Sequence, residues 1–421
     1  MENRTDVIII GGGAVGLCCA YYLWKKGCTV TVIDRGNPEL ASSSRNAGLI
    51  VPSHFIPLAS PGVIKKGIKW MFSPESPFYI RPRLSANLAS WLLKFRNACS
   101  EKKASHSMIV LRDLTATSKE LYEEMVKVED MEFGFESRGL IMLHKTKEGE
   151  QENLRMTDMA SDINVEAQFL GAEEIQQLEP KLKLNTSGGV FFPQDSHLEP
   201  LKFLMEMKSC LRKNGVVFEE GLEVTKLTSF NGKISGVQAN SKSFSAEEIV
   251  LAAGAWSQKL LSDINLRILL EPAKGYSITF NNLAEKPRIP FLLTEAKVAV
   301  TPIGERLRFA GTLELAGLDS TINQRRVMAI LKAVPGYFAD MDISKLTSEN
   351  GKIWAGFRPC TPDGLPYIGR FSTINNLTIA TGHAMLGMTL APVTGKLISE
   401  LIIENRPSFD LQPLNPERFN N

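Results

Sequence analysis

The segment Val7–Asp34 restricts the possible folds more than any other part of the chain. Val7–Ile10 is a short run of β-branched residues suited to a buried parallel strand. A helical pattern over Ala14–Lys26 follows, with Gly27 as its stop, and then a second strand over Cys28–Ile33. The order strand, helix, strand predicts a β-α-β unit and therefore a parallel sheet covered by helices.

The glycines of this segment have the spacing of a dinucleotide-binding loop. Gly11, Gly13 and Gly16 stand in the order G-x-G-x-x-G, which allows a tight turn, close approach of the backbone to a pyrophosphate, and packing of helix on strand. Asp34 follows Gly16 by 18 residues, about where a carboxylate that accepts a ribose hydroxyl is expected. The alternatives are a chance glycine cluster or an apolar signal segment. Flanking acidic residues and three consecutive glycines argue against the second.

The composition of the whole chain excludes several classes of protein. Of 421 residues, 43% are hydrophobic and 22% are charged, as in an ordinary soluble enzyme with more than one core. The 48 basic and 46 acidic residues nearly balance, so nucleic acid is not an expected partner. The six cysteines show no C-x-x-C pair and the five histidines are scattered. Neither a metal site nor a disulfide framework is expected, and a reducing cytoplasm fits best.

Later segments indicate that the chain returns to the first domain. Ile249–Ala253 is a third buried strand that runs into the small-residue turn Gly254–Ser257. A strand at Leu377–Ala380 is followed by Gly382 and a helix over Thr389–Glu404. No second G-x-G-x-x-G occurs, so one dinucleotide cofactor is expected.

The predicted fold class is therefore α/β, with an α+β second part: a Rossmann-like cofactor domain, and a mixed-sheet substrate domain that is discontinuous in sequence. The cofactor domain is predicted to comprise residues 1–60, 195–265 and 352–421, and the substrate domain residues 61–194 and 266–351. The chain contains no apolar run long enough to span a membrane, so any membrane contact would be peripheral.

Five separated motifs resemble those of a known family. The N-terminal fingerprint is followed by SSRNAG at Ser43–Gly48, LAAGAWS at Leu251–Ser257, GFRPCTPDGLPYIG at Gly356–Gly369 and TGHAMLGMTLAP at Thr381–Pro392. Their order is similar to that in the FAD-dependent amine and D-amino acid oxidoreductases, the DAO family, which includes D-amino acid oxidase and glycine oxidase. Within the family, the chain most resembles the bacterial D-amino acid dehydrogenases. The resemblance implies FAD as the cofactor.

The resemblance also assigns roles to individual residues. Arg358 matches the family's arginine that pairs with the substrate carboxylate, and a guanidinium offers two parallel donors to a carboxylate. Tyr276 matches a strand position near the pocket and is the second candidate catalytic residue, although a packed tyrosine is an equal alternative. His383 is expected to orient backbone rather than to transfer protons. Besides Gly11, Gly13, Gly16 and Asp34, the residues expected to bind the cofactor are Ala14, Val15, Arg35, Ser43, Ser44, Asn46, Ala47, Gly48, Gly254, Trp256, Gly382, Gly387 and Met388.

Two departures from the family pattern refine the expectation. Glycine oxidase has an arginine just after its Gly-His pair, whereas this chain has Met385, which favours a larger or more apolar side-chain pocket. Sarcosine oxidases tether the flavin to a cysteine before the TPD turn, but Cys360 is offset from that position. Non-covalently bound FAD is therefore expected.

The resemblance implies oxidative deamination of a D-amino acid, with electrons passed to a quinone or respiratory acceptor. A cytoplasmic location with peripheral contact at the inner face of the cell membrane fits such an acceptor. One alternative is oxidation of a secondary amine or imino acid such as hydroxyproline, proline or sarcosine. An alternative of a different class is a flavin-binding subunit without turnover.

Overall fold

A computed structural model gives the structure of the protein over residues 5–36, 41–71, 76–281, 283, 285–339, 341, 346–347 and 349–420. The predicted domains also include residues between these ranges, and those residues lie outside the described part of the chain. Within the ranges, no helix combines the length and the apolar composition needed to cross a bilayer.

Helices and strands are numbered separately in chain order. The α-helices are α1 (Ala14–Lys25), α2 (Val63–Met71), α3 (Ala86–Ala98), α4 (Glu101–Lys127), α5 (Lys147–Asp162), α6 (Ala172–Leu178), α7 (Pro200–Lys213), α8 (Ser257–Ser262), α9 (Gln324–Ala333) and α10 (Ala391–Ile403). The strands are β1 (Val7–Ile10), β2 (Val30–Asp34), β3 (Leu49–Ile50), β4 (Phe78–Ile80), β5 (Leu140–His144), β6 (Gln168–Gly171), β7 (Gly188–Phe192), β8 (Ser196–His197), β9 (Val217–Glu220), β10 (Val224–Phe230), β11 (Lys233–Ala239), β12 (Lys242–Phe244), β13 (Glu248–Leu251), β14 (Glu271–Asn281), β15 (Phe291–Leu293), β16 (Val298–Ile303), β17 (Arg306–Leu315), β18 (Lys352–Cys360), β19 (Tyr367–Phe371) and β20 (Ile374–Thr381).

The first sheet has the strand order β19-β20-β13-β1-β2-β9 and is parallel except for the edge strand β19. Strand β1 is buried along its whole length because both faces of the sheet are covered. Val7 and Ile9 pack toward α1, α7 and α10, while Ile8 and Ile10 pack toward α8 and the small antiparallel sheet β10-β11-β12. The β-α-β unit predicted from the sequence is therefore the centre of this sheet.

The second sheet is mixed and, in the described residues, has nine strands in the order β18-β14-β17-β16-β15-β5-β7-β6, with β4 beside β17. One face is packed under α6 and α9, where Ile278 of β14 joins the core. The other face is turned toward the loop before β3. There the Ser277 hydroxyl donates to the Arg45 carbonyl at 2.8 Å, and Arg308 Nη1 donates to the Asn46 carbonyl at 2.6 Å. The loop of the first sheet is thus bonded directly to the second sheet.

The predicted fold class is confirmed, since a largely parallel sheet and a mixed sheet are built from alternating stretches of the chain. One predicted boundary needs correction. Strand Lys352–Cys360 was placed in the cofactor domain, but it is the edge strand of the second sheet, paired along its length with β14. We therefore keep the division into two domains as a proposal, with this strand moved to the substrate domain.

Candidate functional site

The turn between β1 and α1 depends on glycines for close approach of the backbone. Gly11 has φ +112°, and a Cβ there would meet the Ala252 carbonyl of the neighbouring strand end. A Cβ at Gly16 would overlap the Gly11 carbonyl oxygen. The first residue is restricted by its dihedral angle and the second by contact, so both must be glycine for the helix to pack against the strand.

The N-terminus of α1 is suited to an anion. Its N-cap is Gly13, which has no side chain to cap the helix, and the first turn contains no acidic residue. The Ala14 amide donates to the Ser43 hydroxyl at 3.1 Å, so the loop before β3 lies beside the helix start. A helix end with this composition has positive potential and amides directed at the space in front of it.

A cavity of about 490 Å³ lies in front of this helix end, at the carboxyl edge of the first sheet. Asp34 borders it, and the two oxygens of the carboxylate accept from the amides of Gly12 at 2.7 Å and Gly36 at 2.9 Å. These bonds fix the carboxylate while leaving further lone pairs for a hydroxyl donor. Nearby, the Arg35 guanidinium lies 3.7 Å from the centre of the Trp256 ring.

Most residues expected to bind the cofactor border this first cavity. They are Gly11, Gly13, Ala14, Val15, Asp34, Arg35, Ser43, Asn46, Gly254, Trp256, Gly387 and Met388. Ala47 and Gly48 border a second, adjoining cavity instead.

Gly16, Ser44 and Gly382 border neither cavity. The expectation for Ser44 needs correction, because its side chain is buried and its hydroxyl donates to the Ala41 carbonyl at 2.8 Å, closing a turn. Gly382 has φ +82° and holds a turn against Thr361. All three residues lie behind the residues that border the cavities and support them.

Other residues of the first cavity were not predicted from the sequence. Ser42 borders both cavities, and its hydroxyl accepts from the Phe357 amide at 3.3 Å. Glu223, Val224 and Lys259 border the first cavity. The serine triplet was a detectable signal for Ser42, whereas the other three come from segments without a motif.

The second cavity has a volume of about 430 Å³ and lies between the first cavity and the second sheet. The two cavities meet at side chains that they share. These are Ser42, Asn46, Phe357, Arg358, Met385 and Met388. Among these shared residues, Arg358 is the only one with a charge.

Arg358 lies on β18 at this junction and is partly buried. Its Nη1 donates to the Thr312 carbonyl at 2.7 Å. Among the residues that the structure describes, no carboxylate is within ion-pair distance of the guanidinium. Burial lowers the pKa of Arg358, but an arginine remains charged at neutral pH. A cation in this position is available to an anionic ligand.

Gly275 makes the position of Arg358 possible. A Cβ on Gly275, which belongs to the neighbouring strand β14, would overlap the guanidinium group. The sequence offered no signal for this role, because the contact joins residues that are far apart along the chain.

The expectation that Tyr276 is catalytic needs correction. Although Tyr276 borders the second cavity, its ring packs in the core on the face of the sheet that α9 covers, together with Ile278. Its hydroxyl donates to Glu314 Oε2 at 2.8 Å. Neighbouring residues alternate between the faces of a strand, so Gly275 and Ser277 take the cavity side and the tyrosine hydroxyl is directed away from it.

The histidines near the cavities are neutral at physiological pH. Burial lowers the pKa of His383 to about 3, and its Nε2 lies 2.9 Å from the Thr394 hydroxyl. Burial, assisted by Lys297, lowers the pKa of His54 to about 4. Neither imidazole is a suitable general base at the junction.

None of the described residues that border either cavity is a cysteine. Cys360 packs in a separate core cluster, where burial raises the pKa of its thiol to about 12. Within the described ranges, no group of three or more His, Cys, Asp and Glu side chains is arranged to bind a metal ion.

Comparison with known proteins agrees with this geometry. A family model described as FAD dependent oxidoreductase (DAO) matches residues 6–401. The chain is 30% identical to D-amino acid dehydrogenase from Vibrio atlanticus (strain LGP32), covering 98% of this chain and 100% of that protein. Among solved structures, glycine oxidase from Geobacillus kaustophilus has a TM-score of 0.77 at 23% identity, covering 99% of each chain. L-proline dehydrogenase from P. horikoshii has a TM-score of 0.73 at 19% identity, covering 100% of this chain and 99% of that one.

Proposed function

The chain belongs to the FAD dependent oxidoreductase (DAO) family, and from that premise we propose that it is a dehydrogenase that oxidises free D-amino acids. The observation that carries the proposal is Arg358, a guanidinium without a carboxylate partner among the described residues, located where the cofactor cavity meets a second cavity. A substrate carboxylate supplies the partner that the cation lacks.

The residues of the first cavity fit FAD. The glycine turn leaves space that a Cβ would fill, the α1 N-terminus is positive, and Asp34 is fixed where a ribose hydroxyl can donate to it. Because no cysteine borders the cavity in the described residues, we propose that FAD is held without a covalent bond. When bound, FAD supplies the two-electron oxidation of the substrate's carbon–nitrogen bond.

The contribution of the protein is to bind and orient the substrate. Arg358 binds the carboxylate through two parallel hydrogen bonds and so fixes the α-carbon at the mouth of the first cavity. Phe357, Met385 and Met388 border the same junction and give it apolar surface. The residues shared by the two cavities include no carboxylate or imidazole, so positioning replaces a dedicated acid–base pair. The imine product hydrolyses in water to a 2-oxo acid and ammonia.

The preference for D-amino acids is supported by relatives at about 30% identity that carry the name D-amino acid dehydrogenase and remains part of the proposal. The test is an anaerobic panel in which purified holoprotein is mixed with D-amino acids, their L-enantiomers, and secondary amines such as sarcosine, hydroxyproline and proline. We expect D-amino acids to bleach the flavin absorbance fastest. Faster bleaching by a secondary amine would assign that substrate class instead, and no bleaching by any compound would indicate a flavin-binding subunit without turnover.

We also propose that the electrons pass to a quinone or another respiratory acceptor at a membrane surface. Helix α2 supports this, because Ile64 and Ile68 are 38% and 55% exposed on one side of the helix, beside the exposed Lys65 and Lys66. Exposed apolar side chains next to lysines suit the surface of an anionic membrane. With a D-amino acid as donor, a soluble quinone analogue should be reduced much faster than oxygen is converted to hydrogen peroxide. Equal rates would identify an oxidase.

A further inference from the structure

The second cavity has a strongly unbalanced charge. Among the described residues, its bordering side chains include the cations Lys66, Lys297 and Arg358 and the single anion Glu152. Bordering residue His54 adds no charge at neutral pH, because burial and Lys297 lower its pKa to about 4. One substrate carboxylate on Arg358 would therefore leave the cavity positive.

The excess charge is concentrated at the outer end of the cavity. Lys297 Nζ lies 2.7 Å from Glu152 Oε1, and Lys66 Nζ lies 3.3 Å from Glu152 Oε2. Two ammonium groups thus share one carboxylate, and each ammonium has three donors. The Lys66 and Lys297 side chains are 54% and 30% exposed, which places them toward the opening, whereas Arg358 lies at the inner junction. Burial raises the pKa of Glu152, but the two lysines outweigh it and shift the pKa downward, so the carboxylate remains ionised at neutral pH.

The floor between the two ends is a single row of residues across the second sheet. Trp354, Ser277, Ala310, Ala299 and Leu292 are successive register partners on β18, β14, β17, β16 and β15, and all of them border the cavity. The alanines in the middle of the row leave room above the sheet. A ligand side chain lying along this floor would run from β18 toward β16.

Arg358 and Lys297 approach this row from different strands of the second sheet. Arg358 is on β18, and Lys297 immediately precedes β16, three strands away. Three strand spacings separate their backbones by ~14 Å across the sheet, and both long side chains border the space between. Arg358 Nη1 reaches across to the Thr312 carbonyl on β17, the strand next to β16, so both cationic side chains border one cavity over the same sheet.

We infer that Lys66 and Lys297 form a second anion subsite, and that the preferred substrates are amino acids whose side chains end in a carboxylate. This inference rests on the proposed function. Arg358 binds the α-carboxylate, the side-chain methylenes lie over the alanine floor in the cavity that Trp70 and Phe78 also border, and the distal carboxylate binds the lysines beside Glu152.

The test compares acids with the amides that differ from them only in charge. The holoprotein is assayed for anaerobic flavin reduction with D-aspartate, D-glutamate and D-2-aminoadipate, each paired with its side-chain amide. We expect kcat/KM for the acid to exceed that for the amide by at least ~10-fold at the chain length that spans the gap. Lys297→Met should reduce this ratio to near one, and Glu152→Gln should increase it. Lys65→Met is the matched control, because Lys65 is exposed on the same helix as Lys66 but does not border the cavity, and it should leave the ratio unchanged.

A binding measurement separates this inference from the proposed function. Glutarate and its monoamide are titrated into the oxidised holoprotein and followed by the flavin spectrum. We expect glutarate to bind at least ~10-fold more tightly, and Lys297→Met to remove the difference. If neutral D-amino acids reduce the flavin but acids and amides behave alike in both assays, the subsite is wrong and the proposed function stands. If no amino acid reduces the flavin, the proposed function fails, and the titration alone decides whether the anion subsite exists.

Discussion

Gly275 and Arg358 provide the sharpest test at the scale of single residues. Because a Cβ at Gly275 would overlap the guanidinium, Gly275→Ala should displace Arg358 from the junction. We expect kcat/KM for flavin reduction to fall ~10- to 100-fold, about 1.4–2.7 kcal/mol, with normal FAD content.

Two controls make the Gly275 result specific. Ile278→Val on the same strand removes one buried methylene on the opposite face. It should lower stability by ~1 kcal/mol without changing kcat/KM. In an Arg358→Ala background, Gly275→Ala should have no further effect on kcat/KM, since the group that it displaces is absent. Additive losses would show that the glycine acts on something other than Arg358.

Some of the roles of single residues could be predicted from the sequence and others could not. The family motif made Arg358 the candidate for binding the substrate carboxylate, and in the structure Arg358 borders both cavities. For Tyr276 the sequence left a catalytic and a packed tyrosine as equal alternatives, because it does not reveal which face of β14 is turned to the cavity; the structure favours the packed one. Lys297 and Glu152 meet only in three dimensions, so no local pattern could have paired them.

At the scale of secondary structure elements, the start of α1 offers a matched comparison with the start of α6. Both helices have a glycine N-cap in extended conformation, Gly13 at φ −77° and Gly171 at φ −74°. Aspartate is a favourable N-cap residue. Gly171→Asp, on the surface, should therefore keep or improve stability and retain FAD.

Gly13→Asp should give the opposite result. Its carboxylate would occupy the space in front of α1 and repel the pyrophosphate that this space is proposed to hold. We expect folded, colourless protein, measured as the flavin-to-protein absorbance ratio after purification. Full flavin content in Gly13→Asp would contradict the assignment of the cofactor site.

Helices and strands were predicted correctly where the local sequence pattern was clear. Helix α1 and strand β2 were located to within two residues. The Asn-Gly pair Asn231–Gly232 joins β10 and β11 with both residues at positive φ, as a tight hairpin requires. Residues 352–360 were expected in the cofactor domain, but they form an edge strand of the second sheet. Strand pairing over a long sequence separation depends on tertiary packing, which a single sequence does not display.

For the whole molecule, buried histidines predict loss of stability in acid. Burial holds the pKa of His383 at about 3 in the folded state, against ~6.5 when unfolded. Between pH ~6.5 and 3, this histidine therefore binds a proton in the unfolded chain but not in the folded chain. The free energy of unfolding falls by up to ~1.4 kcal/mol per pH unit as the pH decreases through this range. Asp195 opposes this trend, because burial raises its pKa to about 7. It therefore binds a proton in the folded protein before it does so in the unfolded chain, and this contribution to the stability of the folded protein increases as the pH falls from 7 toward 4.

The contribution of His383 can be isolated by measuring the melting temperature of the holoprotein between pH 7 and pH 5. His383→Gln keeps a hydrogen-bonding group beside Thr394 but cannot titrate, so its melting temperature should fall less steeply than that of the wild type. Parallel curves would show that His383 takes up protons equally in the folded and unfolded states, and so that burial does not lower its pKa.

We propose that this molecule brings together a cofactor cavity and Arg358, which has no carboxylate partner among the described residues, so that a substrate carboxylate places the α-carbon for oxidation. The most direct test is anaerobic stopped-flow flavin reduction by D-alanine and D-alaninamide in wild type, Arg358→Lys and Arg358→Ala, with the exposed Arg325→Ala as the matched surface control. We predict that Arg358→Ala loses ~30- to 1,000-fold in kcat/KM for D-alanine, about 2–4 kcal/mol. Arg358→Lys should lose less, because it keeps the charge without the two parallel donors. FAD content should be unchanged, and the disadvantage of the amide should disappear in Arg358→Ala. If Arg358→Ala is reduced by D-alanine at the wild-type rate, Arg358 does not bind the substrate carboxylate.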